Sequence, residues 1–209
     1  MNRWAYLIAV MFLLLLWPAS AQTADELAAE GNYLYDEDFF EEALDVLNQA
    51  LAIDPDNLEA LNGKGKTLKS LGMFNESIEE YDKAIAVDPT YKKAWNNKGI
   101  VYTHLEMYDD AVEMFDESLN IDPEYGKAYS NRAWCLNLAG RYEEALLSAK
   151  KATELVPEYA KGWMNYADAL SALGQYEEAI AAYDTVLLLD PGFIGVKNAK
   201  QKVTDKLNE

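Results

Sequence analysis

The chain has 209 residues, of which 50% are hydrophobic, enough to bury a core and too many for a disordered tail. Its 36 acidic and 18 basic residues leave a formal charge of −18, a field that repels phosphate backbones and makes nucleic acid a poor partner. The single cysteine, Cys135, excludes an intramolecular disulfide, so packing must supply the stability.

Residues 1–21 differ from the rest. Arg3 gives a positive start, an apolar run of 14 residues extends from Trp4 to Trp17, and Pro18-Ala19-Ser20-Ala21 follows. This is the layout of a secretory signal peptide with cleavage expected after Ala21, which would export the mature chain, beginning at Gln22, as a secreted, periplasmic or cell-surface protein. The alternative is a retained membrane anchor. Its apolar run falls short of the about 20 residues of a spanning helix, although Trp4, Tyr6 and Trp17 could form an interfacial belt.

Beyond this segment the prolines set a frame. Pro55, Pro89, Pro123, Pro157 and Pro191 recur every 34 residues, and a fixed period of this size is the mark of a repeat protein. With each proline at position 32, the units are 24–57, 58–91, 92–125, 126–159 and 160–193, set within a repeat region 22–193, and 194–209 is left over. Position 8 is always small (Gly31, Gly65, Gly99, Ala133, Ala167), as is position 20 (Ala43, Ser77, Ala111, Ala145, Ala179), and position 17 is always aromatic. Positions 4, 8 and 11 share one face of a first helix, and 20, 24 and 27 one face of a second. The small residues let two helix backbones approach closely. Gly72, Gly140 and Gly174 at position 15 suit a left-handed cap of the first helix. Acidic doublets such as Glu41-Glu42 and Glu143-Glu144 open the second helix at the positive end of its dipole. The proline stops it.

Unit three reads Trp95-x2-Lys98-Gly99-x2-Tyr102, then Ala111-x3-Phe115, then Pro123. This resembles the tetratricopeptide repeat pattern, with Lys98 in place of a leucine, and the resemblance covers residues 24–193. The large aromatic at position 4 is kept as Trp95, Tyr129 and Trp163, whereas units one and two have Leu27 and Leu61. The resemblance implies an all-α fold, a right-handed α-solenoid of antiparallel helix pairs whose first helices line a concave groove. Thr23 with Glu26 predicts a capping box ahead of the first helix. Val196, Ala199, Val203 and Leu207 predict an apolar stripe on a C-terminal capping helix over 194–209, with lysines facing water.

No catalytic constellation emerges. His104 is the only histidine and Cys135 the only cysteine, and nothing in the pattern places a nucleophile beside a base. Cys135 occupies a packing position of the repeat, and His104 reads as a polar residue at the groove edge. Asp36-Glu37-Asp38 fails as a calcium loop, because Glu41 stands where glycine is needed and Leu47 where the glutamate belongs. No enzyme activity, cofactor or metal is expected.

Charge is uneven along the stack. Unit one carries eleven acidic residues and no basic ones, whereas 194–209 has four basic and two acidic. In the family, positions 2, 5, 6, 9, 12 and 13 of the first helix face the groove. Carried over, they place Lys93, Lys127 and Lys161 as one ladder and Asn97, Asn131 and Asn165 as another, with Ile100, Trp134, Leu138 and Met164 as apolar positions. Three lysines in first turns oppose the helix dipole, so they are not the locally favoured choice. The family's two-carboxylate clamp is not reproduced, since Ala28 and Asn97 stand at two of its basic positions, and chaperone binding is not expected. These readings converge on a scaffold that holds an extended peptide or partner helix in the groove, with an acidic end as the chemistry the lysines would suit. The competing reading is a self-assembling or membrane-tethered structural module, with the acidic first unit docking on a neighbour's more basic end.

Overall fold

The computed structural model describes residues 22–209, to which all structural statements refer. The expectations for residues 1–21 lie outside these residues. Eleven helices and no strand are present among the described residues. They run α1 (Ala24–Asp36), α2 (Phe40–Ile53), α3 (Leu58–Ser70), α4 (Phe74–Val87), α5 (Lys92–His104), α6 (Tyr108–Ile121), α7 (Gly126–Leu138), α8 (Tyr142–Leu155), α9 (Ala160–Ala172), α10 (Tyr176–Leu189) and α11 (Val196–Leu207). The first ten form five hairpins, each pairing a 13-residue with a 14-residue helix. None of the described helices is long and apolar enough to cross a membrane.

The hairpin turn is chemically uniform. Its middle residue is left-handed in all five units: Gly72, Gly140 and Gly174, as expected, but also Asp38 at φ 63° and Glu106 at φ 60°. The residue after it donates its N–H back to the first helix at 2.9 Å in each case, as Met73 does to the Leu68 carbonyl, which closes the cap. Aspartate tolerates the left-handed region through its short polar side chain, whereas glutamate at 106 bears a strain of about 1–2 kcal/mol. The helix exit is shared by four units, unit four having Val156 before its proline. The carboxylate preceding the proline accepts the N–H two residues on, at 3.1 Å for Asp54, 2.8 Å for Asp88 and 3.0 Å for Asp122 and Asp190. Proline therefore ends the helix and aspartate holds the turn that follows.

Within a hairpin, a glycine at position 8 makes room for a large residue at position 24. A Cβ on Gly65 would lie 2.5 Å from the Tyr81 ring, and one on Gly99 would lie 2.8 Å from the Phe115 ring. Unit four solves the same space with Ala133 and Ala149, both fully buried. Ser77 at position 20 donates to the Gly65 carbonyl at 2.7 Å, a direct measure of how near the two backbones come. Cys135 is fully buried, its thiol pushed up by burial, and it is a core residue.

Units three and five also grip the unit before them through an indole. The Trp95 indole donates to the Pro89 carbonyl at 2.9 Å, and Trp163 to Pro157 at 2.7 Å, an anchor that Leu27 and Leu61 cannot provide. At the N-terminal end, the Thr23 hydroxyl accepts from the Glu26 N–H and the Glu26 carboxylate accepts from the Thr23 N–H, a complete capping box. At the other end, α11 buries Val196 and Val203 and half-buries Ala199 against α10, whereas Leu207, the last residue of the expected stripe, stays 39% exposed beyond the reach of α10.

Candidate peptide-binding cleft

The first helices lie side by side, and their position-6 asparagines join them. Asn97 donates to the Asn62 side-chain oxygen at 2.7 Å, Asn131 to that of Asn96 at 2.9 Å, and Asn165 to the Ser130 carbonyl and hydroxyl at 2.8 and 3.1 Å. Each bond runs from position 6 of one unit to position 5 of the unit before. The Asn97 oxygen also accepts from Asn96 at 3.1 Å. The asparagine ladder is thus a seam between units, and Asn97 is engaged at both ends of its amide. The lysine ladder divides as well. Lys93 pairs with Glu59 at 2.7 Å, and although burial alone would raise the Glu59 carboxyl, this ammonium holds it below its ordinary range. Lys127 is exposed.

Asn131, Asn165 and Lys161 meet Ile100, Trp134 and Met164 in one cleft of about 490 Å³, a size suited to a small ligand or a few peptide side chains. Lys93, Asn97, Lys127 and Leu138 lie outside it. Its walls also include His104 of α5, read from the sequence as a groove-edge residue, and residues that the column reading left out: Lys69 of α3, Ser130 of α7, Asp168 of α9, and Phe193 from the α10–α11 connection. Lys69, Ser130 and Asp168 stand at inward positions 12, 5 and 9, so a search of all the inward columns would have found them. Phe193, at position 34, carried no such signal.

Trp134 is half-buried at the centre. Its ring meets His104 edge-on at 5.3 Å between centroids, and His104 stacks on Phe74 at 6.0 Å with planes 12° apart. Lys69 and Lys161 supply positive charge. Burial first, then Lys66 and Lys161, press the Lys69 ammonium below its ordinary range. Burial and the neighbouring Lys69 likewise lower His104, favouring its neutral form at pH 7. Asp168 is the one carboxylate in the wall. It accepts from the Tyr183 hydroxyl at 2.6 Å, yet burial raises its carboxyl above the usual carboxylate range. The arrangement has no nucleophile and base in register. It offers an indole face and apolar walls beside two ammonium groups.

Stacked helical hairpins with an inward cleft define a repeat scaffold. Its kind follows from its relatives. Tetratricopeptide repeat profiles match residues 93–158 and 136–203, and a TPR repeat profile matches 31–72 and 65–105. The chain belongs to the tetratricopeptide repeat family, whose members serve as protein-interaction scaffolds and are generally not catalysts. No curated protein matches the sequence at a significant level. Among solved structures, it is similar to a thermophilic tetratricopeptide repeat protein of Thermus thermophilus, with a TM-score of 0.76 at 21% identity over 87% of this chain and 99% of the other. It is also similar to the MamA protein (TM-score 0.63, 22% identity, 81% and 96% covered). A third is YrrB, described as a tetratricopeptide repeat protein with an unusual peptide-binding site (TM-score 0.61, 22% identity, 85% and 92% covered). At these identities the likeness is one of fold.

Proposed function

We propose that this protein is an exported, non-catalytic scaffold that holds an acidic stretch of a protein partner in the cleft between α3 and α9. The observation that carries the reading is the company Trp134 keeps. In a chain with twice as many acidic as basic residues, the half-buried Trp134 stands with two lysines, Lys69 and Lys161, in one concave cleft. Half-buried aromatics in such settings anchor partners, and the flanking cations draw the partner's carboxylates. The fold likeness to a protein with a peptide-binding site is consistent with this.

Trp134→Ala is expected to weaken binding of a partner captured from the cell envelope by about 2 kcal/mol. Lys161→Glu is expected chiefly to slow association, most strongly at low salt. Calorimetry and stopped-flow binding on folded variants read both effects. Wild-type affinity in both variants would move the partner off the concave face.

The exported location rests on the layout of residues 1–21. Cleavage after Ala21 leaves the capping box of α1 whole, because both its partners, Thr23 and Glu26, lie beyond the cut. N-terminal sequencing of protein recovered outside the cytoplasm is expected to begin at Gln22. Recovery of Met1 in the membrane pellet would support the anchored alternative instead.

A further inference from the structure

The cleft holds more positive charge than its surroundings use. Elsewhere on the solenoid Lys64, Lys92, Lys93 and Lys98 each pair with a carboxylate, and Lys127, which does not, is exposed to water. Among the described residues neither Lys69 nor Lys161 has a carboxylate oxygen within 4.0 Å. Lys69 is also half-buried, so its charge is partly desolvated without the compensation that buried charges ordinarily have. Asp168 does not supply it, being turned to Tyr183. A carboxylate arriving from outside would meet an unfilled demand, and Trp134, Met164 and Phe193 would receive an apolar side chain next to it.

We propose that the cleft selects acidic segments in which a large apolar or aromatic side chain adjoins the carboxylates, and that His104 tightens this grip as the medium acidifies. The proposal rests on the cleft reading above and adds ligand chemistry and control to it. His104 lies between Phe74 of α4 and Trp134 of α7, which bring no charge. The charged groups around the cleft are Lys69 from α3 and Lys161 and Asp168 from α9. Burial first, and then the charge of Lys69, disfavour a proton on the imidazole. A ligand carboxylate seated by the lysines offsets that repulsion and favours imidazolium, so binding and protonation reinforce one another, each raising the other's affinity equally. The sign follows: affinity rises as pH falls through the histidine range. Neutralisation of Asp168, whose carboxyl burial pushes upward, acts in the same direction by removing negative charge from the wall. The gain ends where the ligand's own carboxylates protonate, at about pH 4.

The test uses the purified protein and an N-acetylated heptapeptide of Asp and Glu flanking one Phe. His104 is the only histidine in the chain, so its imidazole Cε1–H resonance gives an unambiguous titration. The peptide is expected to raise the midpoint of that titration and to bind about two- to fivefold tighter at about pH 5.5 than at about pH 7.5. His104→Gln is expected to flatten the affinity-against-pH profile, whatever its affinity at the upper end. Replacing Phe by Ser, or the acidic residues by Lys, is expected to abolish or sharply weaken binding. An unmoved midpoint, an undiminished profile in His104→Gln, equal binding of either control peptide, or no binding of the acidic peptide at millimolar concentration overturns the proposal. If Trp134→Ala still weakens the envelope partner in those cases, the cleft reading stands and only its chemistry is wrong. If it does not, both fall.

Discussion

Phe115→Ala is expected to lower the unfolding free energy by about 3–5 kcal/mol, the range for emptying a fully buried aromatic site. Phe115 has no exposed surface, and its ring fills the space where Gly99 has no side chain. That complementarity gives the experiment a second arm. Gly99→Ala alone drives a methyl to within 2.8 Å of the ring and should destabilise. In the Phe115→Ala background the same methyl enters the vacated volume and gains about 1 kcal/mol of helix propensity. The double variant should therefore be more stable than Phe115→Ala, and denaturant unfolding of the three variants gives the coupling. Additive effects would show that the two residues do not share one space. Unit three is also the middle of a stack whose units touch only their neighbours. The lesion should broaden or split the transition as the two flanks lose their connection.

Ser77→Leu should cost about 3 kcal/mol, at the upper end of overpacking. The chain contains its own controls. Ala43, Ala111, Ala145 and Ala179 occupy the same position in the other units with no exposed surface, so a methyl fits there. Ser77→Ala removes only the 2.7 Å hydrogen bond to the Gly65 carbonyl, a loss of about 1 kcal/mol. Leucine adds three further carbons where one side-chain oxygen already bridges two backbones. Parity of the leucine and alanine variants in thermal unfolding would mean that α3 and α4 can separate without penalty.

The solenoid was legible because its determinants are local and repeated. A proline at position 32 and small residues at positions 8 and 20 state where helices stop and touch, and the helices begin and end at the same repeat positions in all five units. Left-handed Asp38 and Glu106 were less legible, since neither residue announces that conformation, and only the geometry common to the other turns imposes it. The cleft was half legible, for a physical reason. Reading down a column finds residues that repeat, but units are rotated relative to one another, so groups that converge come from different columns. Lys69 at position 12, His104 at 13 and Trp134 at 9 lie on a diagonal through three successive units. The asparagines posed a different difficulty. An amide beside a groove can serve a ligand or a neighbour equally well, and only the placement of position 5 of the preceding unit shows that Asn97, Asn131 and Asn165 donate to neighbours.

The cleft draws its walls from α3, α5, α7 and α9, which belong to four successive units and so span three interfaces. A solenoid's curvature is the sum of small rotations at such interfaces. A turn of a few degrees at each would accumulate across the cleft and change the separation of Lys69 from Lys161 more than any local motion within one hairpin. The cleft is therefore a gauge of superhelical pitch. Under the proposed binding, a ligand bridging the two lysines would brace the spring, and tension on the ends of the stack would weaken its hold in turn, the two effects being reciprocal.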